Sequence, residues 1–410
     1  MSDQARKGVI AYGVTPHAGG TTIVYRLLAQ GLRSQGWKVF SIAMGESAAL
    51  AYDPDFGDEY SVILAPEETT LAGQVKAFLE WAEREKVDIV IPNCEENILA
   101  AIPHLPPRIR YFSVCHTVAR VAYLLSRIHL NRVSYVIAVS NRQIQSLERR
   151  WKVPRAKLRL IPHGIEYEKF FKGNRSRPNA SLRLIYFGRI EDMDKGVLWL
   201  PAILKKISDH GIPFFMDIVG AGPDLMRLQE MVEGHGLSPR VRFHGQAPPT
   251  EIPRFLSQTD VSLIPSRFEG FGLTLVEAMA AGCVPIATHL GGITDMIVED
   301  GVNGFLCPMG DTNAFANKII SLQQEPNRLA EMSRAAQERV KQKFSLQRMA
   351  SDYDALFTQG LSEPPVDYTP RPLDQLAYPQ ELRPTWRTWV PLPFKNLARK
   401  VLYRYFGYIP

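Results

Sequence analysis

Short apolar runs alternate with longer amphipathic stretches along most of the chain. In the first part, segments with helical spacing, such as 21–35, 71–86 and 141–151, lie between most of the apolar runs. Six runs rich in β-branched residues predict strands at 8–14, 37–44, 60–64, 87–91, 109–114 and 134–139. Buried strands that alternate with helices are typical of a parallel sheet covered on both faces. The pattern therefore predicts an α/β fold of the doubly wound, Rossmann-like class.

The alternation begins again after a polar, unpatterned segment at 172–178, which is interpreted as an interdomain linker. Beyond it, further strands are predicted at 182–187, 214–219, 241–243, 260–264 and 284–287. The sequence thus predicts two Rossmann-like domains, 1–165 and 178–343, and a helix at 344–360 that is expected to cross back to the first domain. Ligands of such sheets bind at the carboxyl ends of the strands, so a cleft between two facing domains is the expected site.

The C-terminal extension, 361–410, has a different composition. Eight prolines within 361–393 exclude a long helix and predict an extended strap. The segment 394–406 predicts a short amphipathic helix with basic residues largely off its apolar face. Such a helix can dock on an anionic membrane surface, or it can pack on this protein's own surface or on a partner subunit. Both interpretations remain open at this point.

Of the 410 residues, 45% are hydrophobic and 22% are charged, as expected of a folded chain with two or three domains. No apolar run reaches the roughly 18 residues of a transmembrane helix, and we read no secretory signal. The four cysteines have no CxxC spacing, which argues against a zinc site or a disulfide framework and favours a reducing compartment. We therefore expect a cytoplasmic protein, with peripheral contact at the inner face of the membrane left open.

Charge is distributed unevenly along the first predicted domain. Residues 46–96 contain thirteen acids against three Lys or Arg, whereas 116–160 contain ten Lys or Arg against Glu148 alone. This asymmetry predicts one basic face, which could meet phosphates or an anionic membrane, or could simply be a solvated pair of helices. No nucleic-acid-binding motif accompanies the charge, so nucleic acid is not an expected partner.

The most informative segment is 266–279, which directly follows the predicted strand at 260–264. A glycine-bearing loop that leads from a strand into a helix presents free backbone N–H groups to phosphate oxygens. Glu277 lies on a helix that is apolar nearly all round, so its carboxylate needs partners, either ribose hydroxyls or a structural salt bridge. Glu269, in the loop, could bind the other end of a nucleotide sugar, or it could be a solvated loop acid.

A second loop, 188–196, places two cations at the end of another predicted strand. Arg189 and Lys195 could neutralise the diphosphate of a departing nucleotide, although a solvated loop of mixed charge has the same composition. Asp192 and Asp194 superficially match a DxD metal motif. Because the two cations of the same loop would repel a bound metal ion, no metal site is predicted here.

Other candidate positions lie at further strand ends. Gly19 and Gly20 could form a phosphate-facing nest after the first strand, and the turn with Gly222 is a weaker candidate of the same kind. His116 follows the strand at 109–114, where it could have a polar role in a cleft or be a satisfied structural histidine. The neighbouring Cys115 points away from it, so no nucleophile–base pair is predicted.

Glu269 and Glu277 form an E-x7-E motif within EGFGLTLVEAMAAGCVPIAT, and this segment resembles the retaining glycosyltransferases of the GT-B class, family 4. The same resemblance is carried by GRIEDMDKG at 188–196, VGAGPDLMRL at 219–228, FHGQ at 243–246, IPHGIE at 161–166 and GGITDMIVEDGVNGFLCPMGD at 291–311. The order and spacing of these motifs make it specific, and it covers about residues 8 to 359. His163 departs from the pattern, because the family has asparagine in this turn.

The resemblance implies an N-terminal acceptor domain and a C-terminal domain that binds most of a nucleotide-diphosphate sugar. It implies four catalytic residues: Arg189 and Lys195 on the diphosphate, Glu269 on the donor sugar, and His116 near the sugar or the acceptor. The further donor-binding residues that it implies are Gly19, Gly20, Gly222, Gly245, Phe271, Gly272, Leu273 and, on the ribose, Glu277.

The implied reaction is a metal-independent, cofactor-free sugar transfer with retention of anomeric configuration. The acceptor would be a glycan or a lipid-linked molecule in cell-surface polysaccharide or glycolipid synthesis, and the donor could be a UDP- or GDP-sugar. Two alternatives stay open: a GT-B phosphorylase or epimerase-like enzyme, and a non-catalytic GT-B scaffold.

Overall fold

The computed structural model describes residues 7–17, 20–93, 95–171 and 181–379. The chain divides into two compact units. The first comprises the described residues within Met1–His163 and Leu346–Pro410, and the second is Gly164–Ser345. The predicted linker and Gly19 lie outside the described residues, as does the predicted amphipathic helix at 394–406.

The first unit is built on a seven-stranded parallel sheet. Its strands are β1 (Gly8–Gly13), β2 (Trp37–Met44), β3 (Ser61–Leu64), β4 (Ile89–Ile91), β5 (Arg110–Cys115), β6 (Val133–Ala138) and β7 (Leu158–Leu160). They pair in the order β3-β2-β1-β4-β5-β6-β7, and every pair is parallel. The direction of the winding reverses between β1 and β4. The doubly wound fold predicted from the apolar runs is confirmed, and β7 is a strand that the pattern missed.

Helices connect these strands. They are α1 (Gly20–Arg33), α2 (Gly45–Ala51), α3 (Leu71–Arg84), α4 (Glu96–Ala101), α5 (Arg120–Arg127) and α6 (Asn141–Arg149). Helices α5 and α6 are strongly amphipathic, and a capping box between Ser140 and Gln143 fixes the start of α6. Successive right-handed crossovers place α5 and α6 on the same face of the sheet.

The second unit has a six-stranded parallel sheet. Its strands are β8 (Leu182–Phe187), β9 (Phe214–Val219), β10 (Val241–Gly245), β11 (Val261–Ile264), β12 (Val284–Thr288) and β13 (Phe305–Cys307), in the order β10-β9-β8-β11-β12-β13. Here the winding reverses between β8 and β11, which are direct neighbours. In open α/β sheets, ligands bind outside the carboxyl ends of the strands at such a reversal. The loops that follow β8 and β11 therefore define the expected site of this unit.

The helices of the second unit cover both faces of its sheet. They are α7 (Tyr167–Phe170), α8 (Asp192–Lys195), α9 (Leu200–Asp209), α10 (Leu225–Gly234), α11 (Ile252–Ser257), α12 (Leu273–Ala280), α13 (Thr294–Ile297), α14 (Thr312–Gln324) and α15 (Pro326–Lys343). One continuous apolar core joins β8, β9, β11 and β12 to α9, α14 and the start of α15. This core anchors the strand ends that bear the functional loops.

The last helix, α16 (Leu346–Ser362), belongs to the first unit and packs on α1. The close approach depends on Gly31, where a Cβ atom would lie 2.6 Å from the Cβ of Ala350. The indole of Trp37 donates a hydrogen bond to Asp354 (2.8 Å) and contacts Phe357 edge to face. The C-terminal helix thus completes the core of the unit in which the chain begins.

From 363 to 379 the described chain has neither an α-helix nor a strand, as the prolines predict. This strap lies against the first unit through backbone groups. The buried guanidinium of Arg110 donates to the carbonyl oxygens of Glu363 and Pro364, and the ring of Tyr368 lies 4.3 Å from the buried guanidinium of Arg132. Within the described residues, no helix combines the length and apolar character needed to cross a membrane.

Candidate functional site

The loops after β8 and β11 in the second unit touch through their backbones. The amides of Arg267 and Phe268 donate to the carbonyl oxygen of Asp194 at 2.8 and 2.9 Å. Gly196 has a left-handed conformation (φ 61°), and a Cβ atom there would lie 2.1 Å from the carbonyl oxygen of Pro265. Only glycine allows this contact, so the sequence itself brings the cationic loop and the E-x7-E loop together.

The loop after β9 packs against the loop after β8 in the same way. A Cβ atom on Gly220 would lie 1.9 Å from the carbonyl oxygen of Gly188, and one on Gly222 would lie 2.2 Å from that of Ile190. Packing alone is therefore sufficient reason for glycine at 222. The Gly220 amide donates to the carbonyl oxygen of Gly245 (2.7 Å), the last residue of β10. The end of β10 therefore also contacts the loop after β9. Donor binding by Gly222 and Gly245 stays a prediction.

Helix α12 begins at Leu273, directly after Gly272, whose φ of 106° again requires glycine. The first turn carries no acidic residue and no side-chain cap. In the described part of the chain, the amides of Leu273 and Thr274 have no hydrogen-bond acceptor. Phe271 is buried and its ring contacts Phe344 edge to face, so this residue anchors the loop. A helix terminus of this kind favours an anion electrostatically.

Glu269 is buried, with only 7% of its surface exposed. One of its oxygens, Oε1, accepts a hydrogen bond from the Nζ of Lys195 (2.8 Å) and another from the hydroxyl of Ser266 (2.7 Å). The solvated loop acid considered as an alternative does not fit this environment. Ser266 was not predicted as a site residue, because nothing in the sequence shows that its hydroxyl points back to Glu269.

Glu277 is half-buried and lies on α12, most of whose other residues are apolar and buried. Burial raises the pKa of its carboxyl to about 7. No ion pair involves Glu277 within the described residues, so the structural salt bridge considered as an alternative is not found there. A carboxyl that is desolvated without a cation is a candidate to bind hydroxyl groups of a ligand.

The two acids of the DxD segment are bound to arginines. The Nη2 of Arg189 lies 3.1 Å from Asp194 and 2.7 Å from Glu191, and the guanidinium of Arg189 is more than half exposed. Arg267 contacts the carboxylate of Asp192 (3.1 Å). Across the described ranges, no cluster of three or more His, Cys, Asp or Glu side chains could hold a metal ion.

His116 follows β5 in the first unit. Its Nε2 lies 3.1 Å from the hydroxyl of Tyr12, and its ring stacks on that of His163, with centroids 5.4 Å apart. Burial lowers the pKa of His116 to about 4, and burial together with the neighbouring His116 lowers the pKa of His163. Both rings are thus neutral at physiological pH. The thiol of Cys115 donates to the carbonyl oxygen of Thr117, in keeping with the absence of a nucleophile–base pair.

Sequence reasoning missed Glu95, which lies after β4 where the winding of the first sheet reverses. Its Oε1 accepts hydrogen bonds from the amide and the hydroxyl of Thr15, both at 3.1 Å. Burial raises the pKa of its carboxyl. Gly20 begins α1 in open space. The position of Glu95 depends on the strand order, which the sequence does not show.

Six of the ten Lys and Arg residues at 116–160 form what we call the basic surface. These exposed residues are Arg120, Arg127, Arg149, Arg150, Lys152 and Arg155. Trp151 follows α6, and its ring contacts α5. The ring stacks on that of Tyr123 (5.9 Å) and lies 5.6 Å from the guanidinium of Arg120. In contrast, Lys157 donates to two backbone carbonyl oxygens, and Arg132 is buried.

The structure places the predicted residues in two groups. The second unit contains Gly222, Gly245, Phe271, Gly272, Leu273, Glu277, Arg189, Lys195 and Glu269, and the first contains His116 and Gly20. The loops that bear Arg189, Lys195 and Glu269 meet at the winding reversal of the second sheet.

Family models match most of the chain. Residues 168–339 match "Glycosyl transferases group 1", and residues 18–169 match "Glycosyltransferase Family 4". Among curated proteins, the N-acetyl-alpha-D-glucosaminyl L-malate synthase of Bacillus anthracis is 25% identical, over 87% of this chain and 97% of its own length. The putative colanic acid biosynthesis glycosyltransferase WcaL of Escherichia coli is 28% identical, over 47% of this chain and 49% of its own length.

Solved structures show the same fold. A glycosyltransferase from Rickettsia africae matches with a TM-score of 0.73 at 19% identity, over 87% of this chain and all of that one. HepE from Anabaena, solved in complex with UDP, matches with a TM-score of 0.71 at 18% identity, over 86% of this chain and all of that one. At these identities the likeness concerns the fold alone.

Proposed function

Because this chain belongs to glycosyltransferase family 4 and has the GT-B fold, we propose that it transfers a sugar from a nucleotide-diphosphate sugar to an acceptor hydroxyl. The observation that carries the proposal is Glu277. Its carboxyl is desolvated, has no cation beside it in the described part of the chain, and lies on the helix whose first amides lack acceptors. A ribose hydroxyl that donates to Glu277 would satisfy the carboxyl, and a phosphate at the start of α12 would accept hydrogen bonds from the amides.

The other candidate site residues of the second unit are proposed to bind the diphosphate and the sugar of the donor. Arg189 and Lys195 supply two positive charges for the diphosphate. Glu269, buried beside Lys195, accepts hydrogen bonds from donor-sugar hydroxyls. Gly272 and Leu273 bring the backbone close to the distal phosphate.

The proposed chemistry is transfer with retention of anomeric configuration. The glycosidic bond to the diphosphate breaks as charge develops on the leaving oxygen, and the two cations stabilise that charge. The acceptor hydroxyl attacks from the same face and passes its proton to the departing diphosphate, so no separate protein base is needed. Arg189 and Lys195 perform the task that a divalent cation performs in metal-dependent transferases.

The acceptor is proposed to bind the first unit, near His116 and Glu95. We propose a glycan or lipid-linked acceptor in polysaccharide or glycolipid synthesis. Two observations support this class. One is the similarity to WcaL and to the amylovoran biosynthesis glycosyltransferase AmsK of Erwinia amylovora, and the other is the basic surface, which suits an anionic membrane.

The test is thermal unfolding with UDP, GDP and ADP. A nucleotide at 100 times its dissociation constant adds about 2.7 kcal/mol, which raises the melting temperature by several degrees. We expect one nucleotide to raise the melting temperature of the wild type but not that of Glu277→Ala. The control is Glu230→Ala, which removes an exposed acid on α10 and should respond like the wild type. No rise with any of the three nucleotides would refute the donor site.

A further inference from the structure

The cation proposed for the diphosphate and the acid proposed for the sugar bind each other. The Nζ of Lys195 lies 2.8 Å from Oε1 of Glu269, and their side chains are 23% and 8% exposed. Ser266 donates to the same oxygen. Within the described residues, the second oxygen, Oε2, accepts no hydrogen bond. Lys195 therefore neutralises the buried charge of Glu269.

We propose that Lys195 exchanges partners on ligand binding, from Glu269 to the diphosphate, and that this exchange makes the site favour the intact donor over the spent nucleoside diphosphate. The inference rests on the proposed function, because it assumes that a diphosphate binds at Lys195. It assigns Glu269 a specificity role beyond contact with the sugar: the carboxylate disfavours binding of any diphosphate that lacks the donor sugar and its hydroxyl groups.

The physical reason is the cost of a buried charge that has lost its counter-ion. When Lys195 moves to a phosphate, the carboxylate of Glu269 keeps only the hydrogen bond from Ser266. Leaving a buried carboxylate without a cation is unfavourable unless new donors replace it. A donor sugar brings hydroxyl groups that can bind both oxygens, whereas the free nucleoside diphosphate brings none to Glu269, because its ribose hydroxyls are assigned to Glu277. Product is thus bound at a penalty that the donor avoids.

Ser266 is a positioning residue in this exchange. Its hydroxyl is buried and lies 2.7 Å from Oε1, so it holds the carboxylate in place after Lys195 has left. Arg189 differs from Lys195 in this respect. Its guanidinium is 58% exposed, and the carboxylate of its partner Asp194 is 29% exposed, so water can replace Arg189 beside Asp194. The penalty that donor-sugar hydroxyls offset is proposed for Glu269.

The experiment measures calorimetric affinities for the nucleoside diphosphate that stabilises the wild type, chosen among UDP, GDP and ADP, and for its commercially available sugar derivatives. Glu269→Gln frees Lys195 in advance, so we expect the nucleoside diphosphate to bind on the order of tenfold more tightly than to the wild type. Glu269→Asp keeps the charge but shortens the side chain away from Lys195, and we expect a smaller gain of the same sign.

A double-mutant cycle separates partner exchange from the general field of the carboxylate. In the Lys195→Met background, Glu269→Gln should change the affinity for the nucleoside diphosphate by less than about twofold, because there is no partner to release. Glu191→Gln is the matched control, because it removes the negative charge of a carboxylate that contacts Arg189, the second cation proposed for the diphosphate. We expect it to change the affinities for product and donor equally.

Three results decide the matter. Unchanged or weaker product binding by both Glu269 variants would overturn the inference, since Lys195 would then contact both partners at once. A gain that persists in the Lys195→Met background would overturn it as well. If the wild type binds none of the three nucleoside diphosphates, the proposed function itself fails. Circular dichroism of each variant establishes whether it is folded. If Glu269→Gln is not folded, Glu269→Asp replaces it in the comparison with the wild type.

Discussion

The imidazole rings of His116 and His163 stack in the first unit, with an angle of 18° between their planes. The two residues lie 47 positions apart in the sequence, after β5 and after β7. Burial lowers the pKa of both rings, and the neighbouring His116 lowers the pKa of His163 further. The family that the chain resembles has asparagine at the position of His163.

The histidine pair makes the first unit sensitive to acid. Both pKa values are lower in the folded state than the usual 6.5, so below pH 6.5 the unfolded chain binds more protons than the folded chain. Between pH 7.5 and 5, His116 alone should cost up to about 2 kcal/mol of unfolding free energy. We expect His163→Asn to lose visibly less stability over this interval than the wild type, as measured by urea unfolding at the two pH values. Parallel pH dependence of the two proteins would contradict the prediction.

Nucleotide affinity should depend on pH through Glu277. Burial raises the pKa of its carboxyl to about 7, and the proposed contact with a ribose hydroxyl requires the ionised form as acceptor. Affinity should therefore rise as the pH rises, by up to about tenfold between pH 6 and pH 8. The Glu277→Gln variant should show only the pH dependence of the nucleotide phosphate itself. Calorimetric titrations of both proteins with the same nucleotide measure the difference, and identical profiles would exclude Glu277 from the ribose site.

Gly222 should be required for stability as well as for any contact with the donor. A Cβ atom there would lie 2.2 Å from the carbonyl oxygen of Ile190, which is backbone and cannot turn aside. We expect Gly222→Ala to lower the unfolding free energy of the second unit by about 2 kcal/mol or more. Gly291→Ala, at a position with open space, is the control and should have an effect within about 0.5 kcal/mol. Denaturant unfolding without ligand measures both, and equal stabilities would refute the packing argument.

The basic surface should bind anionic vesicles in a salt-dependent manner. Each exposed Lys or Arg near such a surface contributes about 1 kcal/mol. Reversal of two charges, Arg149→Glu and Lys152→Glu, should therefore reduce partitioning onto vesicles of mixed phosphatidylcholine and phosphatidylglycerol by at least tenfold. Arg227→Glu with Arg242→Glu, exposed on the second unit, is the matched control. Binding by the wild type that persists unchanged in 0.5 M salt would contradict an electrostatic mechanism.

Hydrophobic periodicity was sufficient to predict both sheets, because long β-branched runs such as 182–187 have few other stable environments. It missed β7 and β13, which have three residues each and too little pattern to distinguish them from loops. The motifs were sufficient to select candidate residues, but not to predict the contacts between their side chains. The contacts of Glu269 with Ser266 and of His116 with His163, and the position of Glu95, depend on strand order and side-chain direction, which composition and spacing do not encode.

The return of α16 to the first unit has a consequence for synthesis. Because the second unit, Gly164–Ser345, is inserted between two parts of the first, the ribosome finishes the second unit before the first can close. Until Phe357 emerges, Trp37 and Phe112 lack the aromatic partner that covers them in the finished protein. At elongation rates of about 5 to 20 residues per second, this interval lasts roughly ten to forty seconds. The nascent chain therefore exposes an apolar face that chaperones can recognise, although the finished protein buries it.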